Sequence, residues 1–139
     1  MINYVLGFAF DKARERVVLI RKERGPQVNV GLLNGVGGKI EGKEEDYAAM
    51  SREFFEETGV WLPDFLWDRR GHFSGKDWRV TVFSVFSDEV VGCRTTESEK
   101  VLLSRVDEAF GRYACARNVE KLLQLCLDER IEYFSWTEV

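Results

Sequence analysis

The segment that most restricts the fold is Asp46–Thr58, a helix-forming run whose side chains divide into two unlike faces. Glu53, Glu56 and Glu57 are three and four positions apart, so they share one face of a helix. The apolar side chains form a stripe beside them: Tyr47, Met50, Phe54 and Phe55. Gly59 follows directly, where a C-terminal cap is expected. The run therefore predicts a helix with one face for a core and one face of carboxylates.

Runs of β-forming residues lie on both sides of this helix. We predict strands at six places: Tyr4–Phe10, Arg16–Lys22, Phe65–Phe73, Trp78–Phe86, Val101–Leu103 and Ile131–Trp136. Ser74–Asp77 predicts a hairpin between two of them, and Asn118–Leu127 has the periodicity of a second helix. Mixed strands with two helices indicate an α+β or layered α/β domain, in which the helices pack on a sheet.

Length and charge limit the class of protein further. The 139 residues leave room for one domain, residues 1–139. The net charge of −4 gives no basic surface for duplex nucleic acid or an anionic membrane. No apolar run reaches the ~20 residues that cross a bilayer, and the three cysteines lack CxxC spacing. We therefore expect a cytoplasmic protein with reduced thiols, and neither a membrane nor duplex nucleic acid among its partners.

The three glutamates on one helix face repel one another. On an exposed helix each adjacent pair costs about 0.2–0.5 kcal/mol. Nearby cations do not balance them, since Arg52 is a single charge and Lys43 lies at the far end of the helix. Divalent cations would balance the three negative charges, because Mg²⁺ binds carboxylate oxygens together with waters and substrate phosphates. The alternative is a solvated acidic face, which is the usual explanation of a glutamate cluster.

The glutamates belong to a longer pattern that runs from Gly38 to Val60. Every fixed position is filled in G-x5-E-x7-R-E-U-x-E-E-x-G-U, where U is an apolar residue. Chance would produce its seven fixed letters in on the order of one such sequence in 10⁵. The segment is similar to the Nudix box of the MutT/Nudix hydrolases, and the order of strands and helices around it resembles that family too. The resemblance implies a Nudix-type α/β/α sandwich with a mixed β-sheet, and Mg²⁺-dependent hydrolysis of a nucleoside diphosphate linked to another moiety.

The resemblance also implies roles for the residues of the box. Glu53, Glu56 and Glu57 would bind divalent ions, with Mn²⁺ as a substitute for Mg²⁺. Glu53 is our first choice for the residue that orients or deprotonates the attacking water, and Arg52 would orient a glutamate. The loop would be shaped by three residues: Gly38, Glu44 and Gly59. Two ligands would come from outside the box: the carbonyl of Gly37 and the carboxylate of Glu99. The alternative interpretation of Glu99 is a glutamate in a surface loop without a role in metal binding.

A further resemblance concerns the substrate. Leu33–Lys39 is similar to a subgroup that hydrolyses oxidised purine nucleoside triphosphates, in which an Asn at the position of Asn34 faces the base. The alternative for Asn34 is a turn residue before Gly35. The resemblance implies these substrate-binding residues: Lys22, Asn34, Gly38 and Lys39. Arg21 and Arg24 are weaker candidates for phosphate contact, and a solvated strand end is the alternative for all the basic residues.

The chain also departs from that subgroup. Phe110–Asn118 contains no Asp or Glu, where the oxidised-purine enzymes carry an acidic pair that recognises the base. We therefore expect cleavage of a nucleoside triphosphate to a monophosphate and pyrophosphate, without a commitment to oxidised guanine. The second hypothesis is a hydrolase of a nucleoside diphosphate conjugate such as ADP-ribose or a nucleotide sugar, and the third is a non-catalytic nucleotide-sensing module. Many members of the family form homodimers, and the sequence leaves the oligomeric state open.

Overall fold

The structure, a computed structural model, describes residues 1–23, 30–111 and 115–139. In this part of the chain the strands are β1 (Ile2–Phe10), β2 (Arg16–Arg21), β3 (Leu33–Asn34), β4 (Val36–Lys39), β5 (Asp68–Ser74), β6 (Trp78–Phe86), β7 (Lys100–Arg105) and β8 (Phe134–Thr137). The α-helices are α1 (Asp46–Thr58), α2 (Val106–Ala109) and α3 (Val119–Leu127). Two short 3₁₀ helices cover Asp64–Leu66 and Asp88–Gly92.

The strands form one mixed sheet around β1. β6 runs parallel to β1 along its whole length, from Ile2 opposite Trp78 to the last residue of each strand. The other edge of β1 is divided, because β4 pairs antiparallel with its first part and β2 pairs with it only at Phe10. The strand order is β3-β2-β1-β6-β5-β8, with β4 on β1 and β7 on β2. The glycine-rich segment Leu32–Ile40 thus supplies two short strands, β3 and β4.

Each face of the sheet is covered by one long helix. On one face, α1 packs these buried side chains into a core: Ala49, Met50 and Phe54. On the other face, α3 contributes Val119, Leu122, Leu123 and Cys126. Side chains alternate along β1, so Phe8 and Phe10 join the α3 core whereas Val5 and Ala9 join the α1 core. This arrangement confirms the α/β/α sandwich with a mixed sheet.

Several boundaries differ from the predictions for physical reasons. The run that begins at Phe65 starts in a 3₁₀ helix behind Pro63, and Phe65 itself is 84% exposed. The last strand begins later than Ile131, whose N–H donates to the carbonyl of Asp128 in the turn that ends α3. Phe55, expected in the apolar stripe, is exposed and packs edge-on against the ring of Trp61.

The helices of the described residues are short or polar. None of them is long and apolar enough to cross a lipid bilayer.

Candidate active site

The loop before α1 is closed by Glu44. Its Oε1 accepts from the N–H of Glu41 at 3.2 Å, and its two oxygens accept from Arg52 Nε at 2.7 Å and Nη2 at 2.9 Å. This paired hydrogen bond lowers the pKa of Glu44 and raises the pKa of Arg52. The loop is therefore tied to the middle of α1 by a bidentate ion pair.

Arg52 also contacts two of the three helix glutamates. Its Nη1 donates to Glu53 Oε1 at 3.0 Å and to Glu56 Oε2 at 3.3 Å. Its Nη2 donates to the carbonyl of Lys39, the last residue of β4, at 3.1 Å. One guanidinium thus holds the loop, the end of a strand and two carboxylates together, which is more than the single glutamate expected of it.

Glu53 lies in a recess that only a glycine leaves open. Its side chain is 13% exposed. A Cβ atom added at Gly38 would lie 2.5 Å from the Cδ of Glu53. At the preceding position, a Cβ on Gly37 would collide with the carbonyl oxygen of Val5, so β4 lies tight against β1 here. Burial raises the pKa of Glu53, and the charge of Arg52 opposes the shift.

Glu57 and Glu99 form a second group of carboxylates. Burial, followed by the charge of Glu99, raises the pKa of Glu57 to about 7. Glu99 is only 4% exposed. Its oxygens accept from Lys22 Nζ at 3.3 Å and from the N–H of Glu23 at 2.8 Å. The structure therefore brings together the helix, the end of β2 and the segment before β7.

The remaining predicted residues lie in different surroundings. Asn34 ends β3, and its Oδ1 accepts from the N–H of Gly35 at 2.8 Å, which is the bond expected of a turn residue. The side chain of Lys39 is exposed at the end of β4. Gly59 has a left-handed φ of 77° and caps α1, with its N–H donating to the carbonyl of Phe55 at 2.9 Å.

Three further predictions concern residues in or next to 24–29 and 112–114, which the structure does not describe. Arg24 lies outside the described part of the chain, and so does the middle of Phe110–Asn118. Arg21 lines a separate cavity of about 420 Å³, together with residues of β3, β7 and α2.

Two residues that contact Arg52 or the backbone of α1 were not predicted. Glu41 Oε1 lies 3.7 Å from Arg52 Nη1, and its place in the loop before α1 was the available signal. The hydroxyl of Thr96 donates to the carbonyl of Glu56. This bond joins residues 40 positions apart, so no local pattern indicates it.

The chemistry of these donors suits a hard divalent cation. Within residues 1–23, 30–111 and 115–139, no three His, Cys, Asp or Glu side chains converge closely enough to hold a metal as they stand. The donors are nevertheless carboxylate oxygens throughout. Burial disfavours the charged forms of Glu53 and Glu57, and an added cation would stabilise them. The residues present therefore fit a divalent ion, and their chemistry does not select between Mg²⁺ and Mn²⁺.

A family model of the NUDIX domain matches residues 3–136, almost the whole chain. The chain belongs to the Nudix family. Nudix hydrolases generally use divalent metal ions. The family assignment makes this chain a Nudix pyrophosphohydrolase, an enzyme that acts on phosphorus-containing anhydrides.

Several solved Nudix structures share this fold. A MutT structure described for Aliivibrio salmonicida and Vibrio cholerae matches with a TM-score of 0.74 and 21% identity, over 89% of this chain and 95% of that one. The MutT protein of Bacillus halodurans matches with a TM-score of 0.71 and 18% identity, over 100% and 91%. The NUDIX domain of Shewanella oneidensis NrtR, complexed with ADP ribose, matches with a TM-score of 0.77 and 15% identity, over 91% and 86%. At these low identities the likeness shows a common fold. No curated protein sequence matches the chain.

Proposed function

We propose that this Nudix enzyme cleaves a phosphoanhydride of a nucleoside triphosphate and releases a nucleoside monophosphate and pyrophosphate. The observation that carries the proposal is the meeting of Glu57, Glu99 and Lys22 beside the Arg52-bound glutamates. Carboxylates that attract divalent cations, next to an ammonium group that attracts phosphate, are what a polyphosphate substrate requires.

The acidic residues of the site would bind the metal ions in this proposal. Glu53, Glu56, Glu57 and Glu99 would hold the divalent ions, for which we propose Mg²⁺ with Mn²⁺ as a substitute, and the carbonyl of Gly37 would add an oxygen. When bound, these ions supply positive charge that stabilises the phosphate oxygens.

Glu53 is the proposed base for the attacking water. Arg52 donates to one of its oxygens at 3.0 Å, so its carboxylate is fixed in orientation before substrate arrives. The water oxygen bonds to one phosphorus atom as the anhydride P–O bond breaks, and Glu53 takes the proton that the water gives up. No covalent intermediate with the protein is needed.

The triphosphate preference rests on Asn34 and Lys22. The bond from Gly35 N–H holds the amide plane of Asn34 in place, and Nδ2 of a fixed amide can donate to the edge of a base. Lys22 Nζ donates to Glu99 at 3.3 Å, and its ammonium group would attract a phosphate of the substrate. Lys39 and the backbone of Gly38 would line the entry to the same site.

The alternative substrate is a nucleoside diphosphate conjugate. It is favoured by the likeness to the NrtR domain, which is complexed with ADP ribose. The third hypothesis is a non-catalytic sensor, and the complete set of box glutamates argues against it. We further propose a cytoplasmic location for a single-domain protein, supported by three free cysteines: Cys93, Cys115 and Cys126.

The direct test is turnover of a nucleotide panel with Mg²⁺ or Mn²⁺, with release of monophosphate and pyrophosphate as the readout. In Glu53→Gln we expect kcat to fall by at least about 10²-fold while nucleotide binding is kept, because the water loses its base. Glu132→Gln is the matched control, since Glu132 is exposed in the bend before β8 and its variant should keep full activity.

Two outcomes would contradict the proposal. Turnover of ADP-ribose or a nucleotide sugar without hydrolysis of any triphosphate would show that the substrate is a nucleoside diphosphate conjugate. Full activity in Glu53→Gln would remove Glu53 from the role of base.

A further inference from the structure

Residues 93–99, between the second 3₁₀ helix and β7, form a segment that we call the strap. The strap lies against the C-terminal end of α1. The N–H of Arg94 donates to the carbonyl of Thr58 at 3.0 Å, and the hydroxyl of Thr96 donates to the carbonyl of Glu56. The last four carbonyls of a helix have no partner within it. The strap therefore supplies donors to two of them, in the turn that carries Glu56 and Glu57.

The far end of the strap is fixed as well. The hydroxyl of Thr95 accepts from the N–H of Val101 at 2.9 Å, which folds the strap onto the start of β7. Glu99, its last residue, is buried and held by Lys22 and by the N–H of Glu23. The two anchored ends leave little freedom for the strap to slide along α1.

This arrangement keeps two like charges close together. Glu57 lies in the turn of α1 to which Arg94 and Thr96 of the strap donate, and Glu99 is the last residue of the strap. Two carboxylates repel each other, so contacts elsewhere must hold their elements in place. The bond from Thr96 to Glu56 is a side-chain hydrogen bond from the strap to the same helical turn.

We propose that Thr96 is a positioning residue of the active site, whose bond to the Glu56 carbonyl sets the strap so that Glu57 and Glu99 can share one divalent cation. The inference rests on the proposed function. Thr96 lies outside the Nudix box and acts through the backbone of α1, so it needs no contact with substrate.

The test compares three variants of the full chain: Thr96→Val, Thr96→Ser and the control Thr137→Val. Valine keeps the shape of threonine without its hydroxyl, serine keeps the hydroxyl, and Thr137 is exposed on β8. The probe is Mn²⁺ alone, with binding followed by electron paramagnetic resonance in the absence of nucleotide. We expect Thr96→Val to weaken Mn²⁺ binding about 10-fold or more and to lower kcat without raising KM for nucleotide. Thr96→Ser should restore both values to within about twofold, and Thr137→Val should change neither.

Each other outcome counts against the inference in a recognisable way. Wild-type Mn²⁺ affinity in Thr96→Val overturns it while the proposed function stands. A Thr96→Ser variant as impaired as Thr96→Val also overturns it, because the hydroxyl would not be the cause. Loss of the folded circular dichroism spectrum in Thr96→Val would show that the bond serves the whole fold and not the site. A wild-type chain that neither binds Mn²⁺ nor hydrolyses a nucleotide overturns the proposed function together with this inference.

Discussion

Replacement of Gly38 by alanine tests whether the recess around Glu53 is needed for activity. The new Cβ would lie 2.5 Å from the Cδ of Glu53, whereas carbon atoms in contact are separated by about 3.5–4.0 Å. The carboxylate must therefore move by about 1 Å, because the backbone of β4 is held against β1. A displacement of about 1 Å at a catalytic group can reduce the rate about 10²-fold, which corresponds to about 2.7 kcal/mol in the activation free energy.

The assay is steady-state kcat with the nucleotide that the enzyme turns over fastest. The matched control is Gly92→Ala, since a Cβ at Gly92 would meet Val60 Cγ2 at an ordinary 3.6 Å. Neither glycine has a left-handed φ, so alanine strains neither backbone. We expect a fall in kcat of about 10²-fold for Gly38→Ala and full activity for Gly92→Ala, with both variants folded by circular dichroism. A Gly38→Ala enzyme with kcat within about twofold of the wild type would refute the reasoning, because Glu53 would then tolerate displacement.

Two further predictions concern stability. The pKa of Glu44 is lowered by its bond to Arg52, so the stabilisation from this pair is complete above the ordinary value of 4.5 and is lost as the pH falls below it. The free energy of unfolding of Glu44→Gln should therefore be lower than that of the wild type at neutral pH, and the two values should converge at about pH 3. Urea titrations at the two pH values measure this difference. A difference that is the same at both pH values would contradict the prediction. Phe54 is fully buried, and its ring packs edge-on against the ring of Trp67 with 5.4 Å between the centroids. The free energy of unfolding of Phe54→Ala, measured with denaturant, should therefore be about 3–5 kcal/mol lower than that of the wild type. A decrease below about 1 kcal/mol would contradict this, because the surrounding side chains would then have filled the cavity left by the ring.

The helix α1 shows how far local patterns extend. Its bounds, Asp46–Thr58, are those that the sequence predicts, because the spacing of its apolar residues and the cap at Gly59 are both local features. The apolar stripe was wrong at its edge, where Phe55 is exposed. A periodic pattern gives the direction of the buried face of a helix but not the width of that face. The width depends on how much of the helix surface the sheet and the segment around Trp61 cover.

The contacts of Arg52 were predicted only in part. Its position next to Glu53 indicated that it holds a carboxylate, but the bidentate bond to Glu44 depends on how the loop returns to the helix. Asn34 is a second example. Its bond to Gly35 could be predicted from adjacency, whereas its use in base recognition stays a prediction.

By itself the sequence determined the family, the helix and the set of box glutamates, because these depend on spacings along a few turns of one element. The tertiary structure decided which charges meet. Lys22 bonds to Glu99 because β2 and β7 are paired, and the charges of both act on Glu57. Thr96 reaches α1 because the strap is anchored at both ends. Periodicity encodes which face of an element a side chain occupies. It does not encode the distance between elements far apart in the chain, and in this protein those distances assemble the site.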